Sequence, residues 1–352
     1  MSIRRPLLTM ALSLSVCAAT VTADDFVLGR FAEYLDALRT QAGIPGMAAA
    51  IVGPVAVNWE AAFGLQDVER NVAARAITPF QLDGTTQAFV ASLAIRCAGD
   101  GWLSLDEKVG KFVPSSPDAG ATIRQLLTHT SAGPGGLTFS YRPERMAPVA
   151  AAISSCTDST FRWGVGNLLE KVAMMDTVPG ADAAQLTAPA ERFTPSEVQR
   201  YRDVLSRMAT PYAVDARGRA TPSSYAANTL VPASGLISTV RDLEQFDLAL
   251  KKGVIVRPND LALEWTPPTD ATGRALPHAY GWFVQQYNNE KIVWQFGVSD
   301  NASSSMILVL PRRGLTLILL ANSQGLSRPF ALSAGDVTVS PFARLFLSIF
   351  AR

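Results

Sequence analysis

Histidine and lysine are scarce in this 352-residue chain, which has two histidines, His129 and His278, and lysines only at positions 108, 111, 171, 251, 252 and 291. With three cysteines and no HExxH pattern, no ligand set for zinc is visible, and neither a metal nor another cofactor is expected. None of the lysines follows a serine or threonine by three positions, and no GxSxG elbow occurs, so two familiar ways of activating a serine are missing as local motifs. Charge of one sign is missing as well: 31 basic and 30 acidic residues carry a net +1 without like-charged runs, which excludes nucleic acid as an expected partner. The apolar stretch near the start, from Pro6 to about Val16, falls short of the ~20 residues of a spanning helix. Preceded by Arg4-Arg5 and followed by Val21 and Ala23, it reads as a secretory signal cleaved after Ala23. The mature chain is therefore expected outside the cytoplasm, in the periplasm or beyond the cell, with no transmembrane segment. It keeps Cys97 and Cys156, which in an oxidising compartment either bridge or remain two buried thiols.

What the chain does have is apolar material, 48% of its residues, enough for a large core at this length. Phe26, Phe31, Leu35 and Leu38 lie at helical spacing and end before "GIPG", a helix followed by a stop. Two short apolar segments around Gly53-Pro54 read as adjacent strands. From Phe80 to about Leu250 the pattern is mostly helical. Beyond Tyr280, four short segments rich in aromatic and β-branched residues are separated by "NNE", "SDN" and "RRG", and "SPFARLFLSIFAR" reads as a closing helix. An α+β fold satisfies this order: an antiparallel sheet from both chain ends, residues 24–79 and 278–352, beside an inserted helical region, 80–277.

Several stretches occur in an order that resembles the serine β-lactamase and penicillin-binding-protein superfamily, in its class C β-lactamase, D-alanyl-D-alanine carboxypeptidase and esterase branch. They are "GIPGMAAAIV", "GDGWLSLDEKVGKFVP", "TIRQLLTHTSAG", "MMDTVPG", "PASGLISTVRDLEQF" and "LANSQGL". The resemblance implies a cleft between sheet and helical region, a serine at the start of a buried helix, and a lysine three residues later on the same face. It further implies a tyrosine from the helical region, a lysine or histidine two residues before a glycine on a strand, and an oxyanion hole of backbone N–H groups.

Set on that pattern by Phe80 and Phe89, the nucleophile position falls on Gly84 and the lysine position on Gln87. The tyrosine falls on Tyr141 of "FSYRPE", with Pro143 where asparagine is usual, and the strand element on Gln295 and Gly297 of "VWQFG". Glycine has nothing to attack with, and a glutamine amide does not titrate at neutral pH. Thr85 and Thr86 are the nearby hydroxyls, but a regular helix rotates them about 100° and 200° away from position 84. His129 is expected in a structural turn, His278 in an exposed loop, and Ser303–Ser305 at a strand entry. Asp242 and Glu244 are expected as helix-start and surface acids, and Asp106 as the organiser of its own turn. The resulting expectation is a secreted, degenerate family member that does not hydrolyse. It would bind a small molecule, a peptidoglycan fragment or a partner in the old cleft, lined by Gly84, Gln87, Tyr141, Gln295 and Gly297, with extra room above Gly84. The alternative is an active esterase, amidase or carboxypeptidase using Thr85, Thr86 or an unrecognised serine.

Overall fold

The computed structural model describes residues 23–187, 190–226 and 229–352, so residues 1–22 of the expected leader lie outside it. In chain order the first part comprises α1 (Ala23–Gln41), β1 (Gly46–Val52), β2 (Val57–Asp67), β3 (Val72–Ala73) and β4 (Phe80–Gln81). The middle comprises α2 (Thr86–Gly99), α3 (Ile123–Leu127), β5 (Thr130–Gly133), β6 (Gly136–Phe139), α4 (Val149–Thr157), α5 (Phe161–Lys171), β7 (Val178–Pro179), α6 (Pro195–Leu205), β8 (Tyr212–Val214), β9 (Ala220–Pro222) and β10 (Leu236–Ser238). The last part comprises α7 (Val240–Lys251), α8 (Pro258–Glu264), β11 (Phe283–Tyr287), β12 (Glu290–Ser299), β13 (Ser303–Leu310), β14 (Leu315–Ala321) and α9 (Pro341–Phe350).

Strands from both ends form one antiparallel sheet in the order β11-β12-β13-β14-β1-β2-β3. Central β1 is buried at every residue, which explains why "GMAAAIV" has no polar alternation. Along β14, Leu317 and Leu319 face one core while Ile318 and Leu320 face the other. One face is covered by α1 and α9, where Phe31 meets Phe346 with ring centroids 6.4 Å apart. The other is covered by α7 and by α2, which is buried throughout from Thr86 to Ile95 and so has no polar stripe.

Two details of this frame position the site. Short β4 pairs with β10, and the Leu82 N–H donates to the Leu236 carbonyl at 2.8 Å, fixing the chain just before α2. At the other wall β11 pairs only with residues 290–294 of β12, so Gln295–Ser299 have β13 on one side and no strand on the other. At its far end α2 is tied to α4 by a disulfide, Cys97–Cys156, with Cα atoms 6.0 Å apart; of the two outcomes left open by the sequence, the bridge is the one present.

Three expectations about acids need correction. Asp242 does stand in the first turn of α7, with Thr239 as the cap, but it and Glu244 are buried rather than on the surface, and Asp242 accepts from the Thr177 hydroxyl at 2.6 Å and the Asp176 N–H at 2.8 Å. Burial pushes the Asp242 carboxyl up to about 6 and that of Glu244 to about 7. Asp106 holds Arg124 in a two-point ion pair, at 2.7 and 3.0 Å, rather than its own turn.

Candidate active site

Position 84 lies in a single 3-10 turn, Asp83–Thr85, that leads into α2. Asp83 has φ +50°, a left-handed conformation that aspartate tolerates better than most residues. Its buried carboxylate accepts from Gln81 Nε2 at 3.0 Å and from Ser303 Oγ at 2.7 Å, and burial raises it to about 7. The residue before the nucleophile position is thus bolted to the start of β13. Nothing in the local pattern singled out Asp83.

A chain of neutral groups reaches position 84 from the helical side. The Arg142 backbone N–H donates to His129 Nδ1 at 3.3 Å, which leaves the ring proton on Nε2. His129 Nε2 then donates to Gln87 Oε1 at 2.8 Å, and Gln87 Nε2 donates to the Tyr141 hydroxyl at 2.8 Å. Burial holds His129 down at about 4 and pushes the Tyr141 hydroxyl well above its usual range. At neutral pH no member is charged, and both ring nitrogens of His129 are already engaged, so the chain serves to orient Tyr141. His129 has φ +52° and bonds across the turn, in keeping with a structural role. The expected exposed loop at His278 is not found: the residue is fully buried, its ring 4.6 Å from His129 edge-on and 4.6 Å from Phe283. The segment is drawn under β11 by bonds from Val284 N to the Pro277 carbonyl and from Ala279 N to the Trp282 carbonyl.

On the sheet side, Gly297 and Gly84 allow backbone to meet backbone. A Cβ on Gly297 would lie 2.1 Å from the Leu82 carbonyl oxygen and 2.9 Å from Gly84 N. A Cβ on Gly84 would lie 2.5 Å from the Phe296 carbonyl oxygen and 3.4 Å from the Tyr141 hydroxyl. The expected room above Gly84 is therefore absent; the edge of β12 fills it. Gln295 does not offer its amide to this space: Nε2 donates to the Gly281 carbonyl at 2.8 Å, and Oε1 accepts from Phe296 N at 2.9 Å. Since that N–H points away from β13, strand alternation turns the Val298 N–H and C=O outward too, along the unpaired edge.

The nearby hydroxyls are all engaged. Ser305 donates to the Leu82 carbonyl at 2.6 Å, so at its 2.8 Å contact with Thr85 it is the threonine that donates. Thr86 accepts from Leu236 N at 3.3 Å, and both threonines are fully buried. Ser303 and Ser304 bond to Asp83 and to the Ser323 carbonyl. The structure thus brings Gly84, Gln87, Tyr141 and Gly297 together, turns Gln295 aside, and points Thr85 and Thr86 into the core. Among the described residues no cluster of histidine, cysteine and acidic groups is placed to hold a metal ion, and no helix is long and apolar enough to cross a membrane.

Comparison with known proteins places these observations. Protein flp of Staphylococcus aureus strain MW2 is 24% identical over 305 residues, covering 79% of this chain, which spans only 60% of that relative's length. A protein named Beta-lactamase from Psychrobacter immobilis is 30% identical over 145 residues, 38% of this chain and 35% of its own. The octameric penicillin-binding protein homologue from Pyrococcus abyssi superposes with a TM-score of 0.69 at 19% identity, over 85% of this chain and 74% of that one. The penicillin-binding protein from Bacillus halodurans superposes with a TM-score of 0.66 at 16% identity, over 90% and 98%. These superpositions establish a shared fold, and the family model described as Beta-lactamase matches residues 31–336. The chain belongs to the β-lactamase family.

Proposed function

We propose that this protein is an exported, non-hydrolysing member of the family that acts by binding. Its ligand would be a peptidoglycan fragment, another small molecule or a protein partner, lying along the open edge of β12 at the mouth of the old site. The observation that carries this reading is the contact at position 84: there is no side chain, and the place one would occupy is 2.5 Å from the Phe296 carbonyl oxygen. Hydrolysis by acyl transfer needs a nucleophilic atom, a proton acceptor and space for a tetrahedral centre. The nucleophilic atom and the space are wanting here. The hydrolytic alternative through Thr85 or Thr86 draws no support from their geometry, since both hydroxyls are fully buried and hydrogen-bonded within the fold. The activity in the name of the Psychrobacter relative is accordingly not carried over. Export is supported by the leader-like start and by the Cys97–Cys156 bridge, a bond that persists in oxidising compartments.

The test is intact-mass measurement after incubating the chain with a fluorophosphonate and, separately, with labelled penicillin. The expected spectrum is that of the unmodified protein. A stoichiometric adduct on any residue overturns the reading.

A further inference from the structure

The far end of α2 opens into a hollow of about 290 Å3 that shares no residue with the turn at Gly84. Its floor is the Cys97–Cys156 bridge. Arg96 of α2 and Asp100, which follows its last residue, stand on one wall, and Trp163, Asn167 and Lys171 of α5 on the other. Trp102, in the turn after α2, stands at the rim with 73% of its surface exposed. One exposed indole on a surface needs no explanation; one at the rim of a hollow lined with donors and acceptors is a platform awaiting a cover. Trp163 is steadied by the Arg192 guanidinium, 5.4 Å from its ring centre.

Size and charge narrow the occupant. The volume is at the small end of ligand pockets, which run from about 300 to 1,000 Å3, and suits a single ring. Arg96 and Asp100 form a loose pair at 3.9 Å, while the lysine ion pairs among the described residues are those of Lys111 and Lys251, leaving the Lys171 ammonium uncommitted. Lys171 lies in the last turn of α5, whose carbonyl end carries a partial negative charge, and α2 ends beside it. The lining thus carries both signs, Arg96 and Lys171 beside Asp100, rather than a set of one charge. Asn167, Asp100, Arg96 and Lys171 offer mixed donors and acceptors to a polar, uncharged molecule.

We propose that this hollow binds a neutral pyranose, either a monosaccharide or the terminal ring of a glycan, with its C–H face on Trp102 and its hydroxyls on Arg96, Asp100, Asn167 and Lys171. The site is separate from the β12 edge and stands whether or not the protein hydrolyses anything. Titration of the full chain with glucose and with N-acetylglucosamine, followed by tryptophan fluorescence, tests it. The expected result is a saturable change for at least one of them, with a Kd of about 1 mM, ordinary for a ligand of about a dozen heavy atoms. Trp102→Ala and Asn167→Ala, checked for unchanged circular dichroism, should each weaken it about tenfold. The proposal fails if neither neutral sugar gives saturation, or if the folded Trp102→Ala protein binds as well as the parent. It fails equally if glucuronate or benzoate binds more tightly than the neutral sugars, which would mark a carboxylate or aromatic site.

Discussion

The two ends of α2 are finished in opposite ways. At the N-terminal end, backbone closes on backbone at Gly84 and Gly297, and the hydroxyls and amides around them are bonded within the protein. At the C-terminal end a covalent bond holds two helices while an indole, an ammonium and an amide face an open hollow. One helix thus joins an end whose side chains are committed, with only the backbone edge of β12 left open, to an end with side chains in reserve. The contrast shows that the turn before α2, where the family pattern puts its nucleophile, can be packed and hydrogen-bonded like ordinary core.

The largest expected effect breaks the C-terminal side. The Cys97–Cys156 bridge closes a loop of sequence separation 59, for which chain-entropy arguments give about 4 kcal/mol. Cys97→Ala combined with Cys156→Ala is expected to lower the unfolding free energy by about that amount, read from urea midpoints. A loss below about 1 kcal/mol would mean that packing alone holds α2 to α4, and the two ends would then differ less than the structure implies.

How much of this contrast was legible in the sequence depends on the kind of contact. The sheet from both ends was readable because β1 and β12–β14 are dense in apolar residues bounded by turns, and the closing helix because Ser340 and Pro341 mark its start. Gly84 and Gln87 were legible because Phe80 and Phe89, both fully buried, frame them. The approach of the Phe296 carbonyl to Gly84 was not, since it is a backbone contact between segments remote in sequence with no side-chain signature. Asp83, Asp242, Glu244 and His278 were misread or missed for a related reason. For three of them burial is decided by partners elsewhere in the chain, Ser303 for Asp83, Thr177 for Asp242, and the aromatic rings of Phe139 and Phe283 for His278, while Glu244 is buried with its Oε1 unpartnered. The bridge was half legible, because cysteine count suggests a pair but not its distance.

A pH measurement sharpens the comparison from the N-terminal side. Burial raises the Asp83 carboxyl from 3.8 to about 7, so between those values the folded state keeps a proton that the unfolded chain has released. Its stabilising contribution is complete below pH 3.8 and is lost as pH rises towards 7, by roughly 1.4 kcal/mol per unit. His129 acts in the opposite sense: with its value held down at about 4, it favours folding more as pH rises from 4 to 6.5. The two are separated by subtraction. Asp83→Asn keeps a residue that tolerates φ +50° and removes the titration; the exchange of one acceptor oxygen for an NH2 group is independent of pH and drops out of the pH-dependent difference. The stability of the parent relative to this variant is expected to fall by about 2.5 kcal/mol between pH 5 and pH 7. A difference that stays constant across that interval would show that Asp83 is ionised in the fold and that the turn is looser than its packing indicates.

The smallest expected effect bears most directly on the vacated position. Gly84→Ser must fit a Cβ 2.5 Å from the Phe296 carbonyl oxygen, and neither the strand nor the turn has a flexible side chain to move aside. Forcing such a contact costs about 2 kcal/mol. The restored hydroxyl would face Gln87, an amide donating to Tyr141, and His129, whose lone pair on Nδ1 is already bonded to Arg142 N. The variant is therefore expected to be less stable than the parent and to remain unmodified by labelled penicillin. If it acylates, the β12 edge must be able to withdraw from position 84, and the closed end of α2 would be a gate rather than a seal.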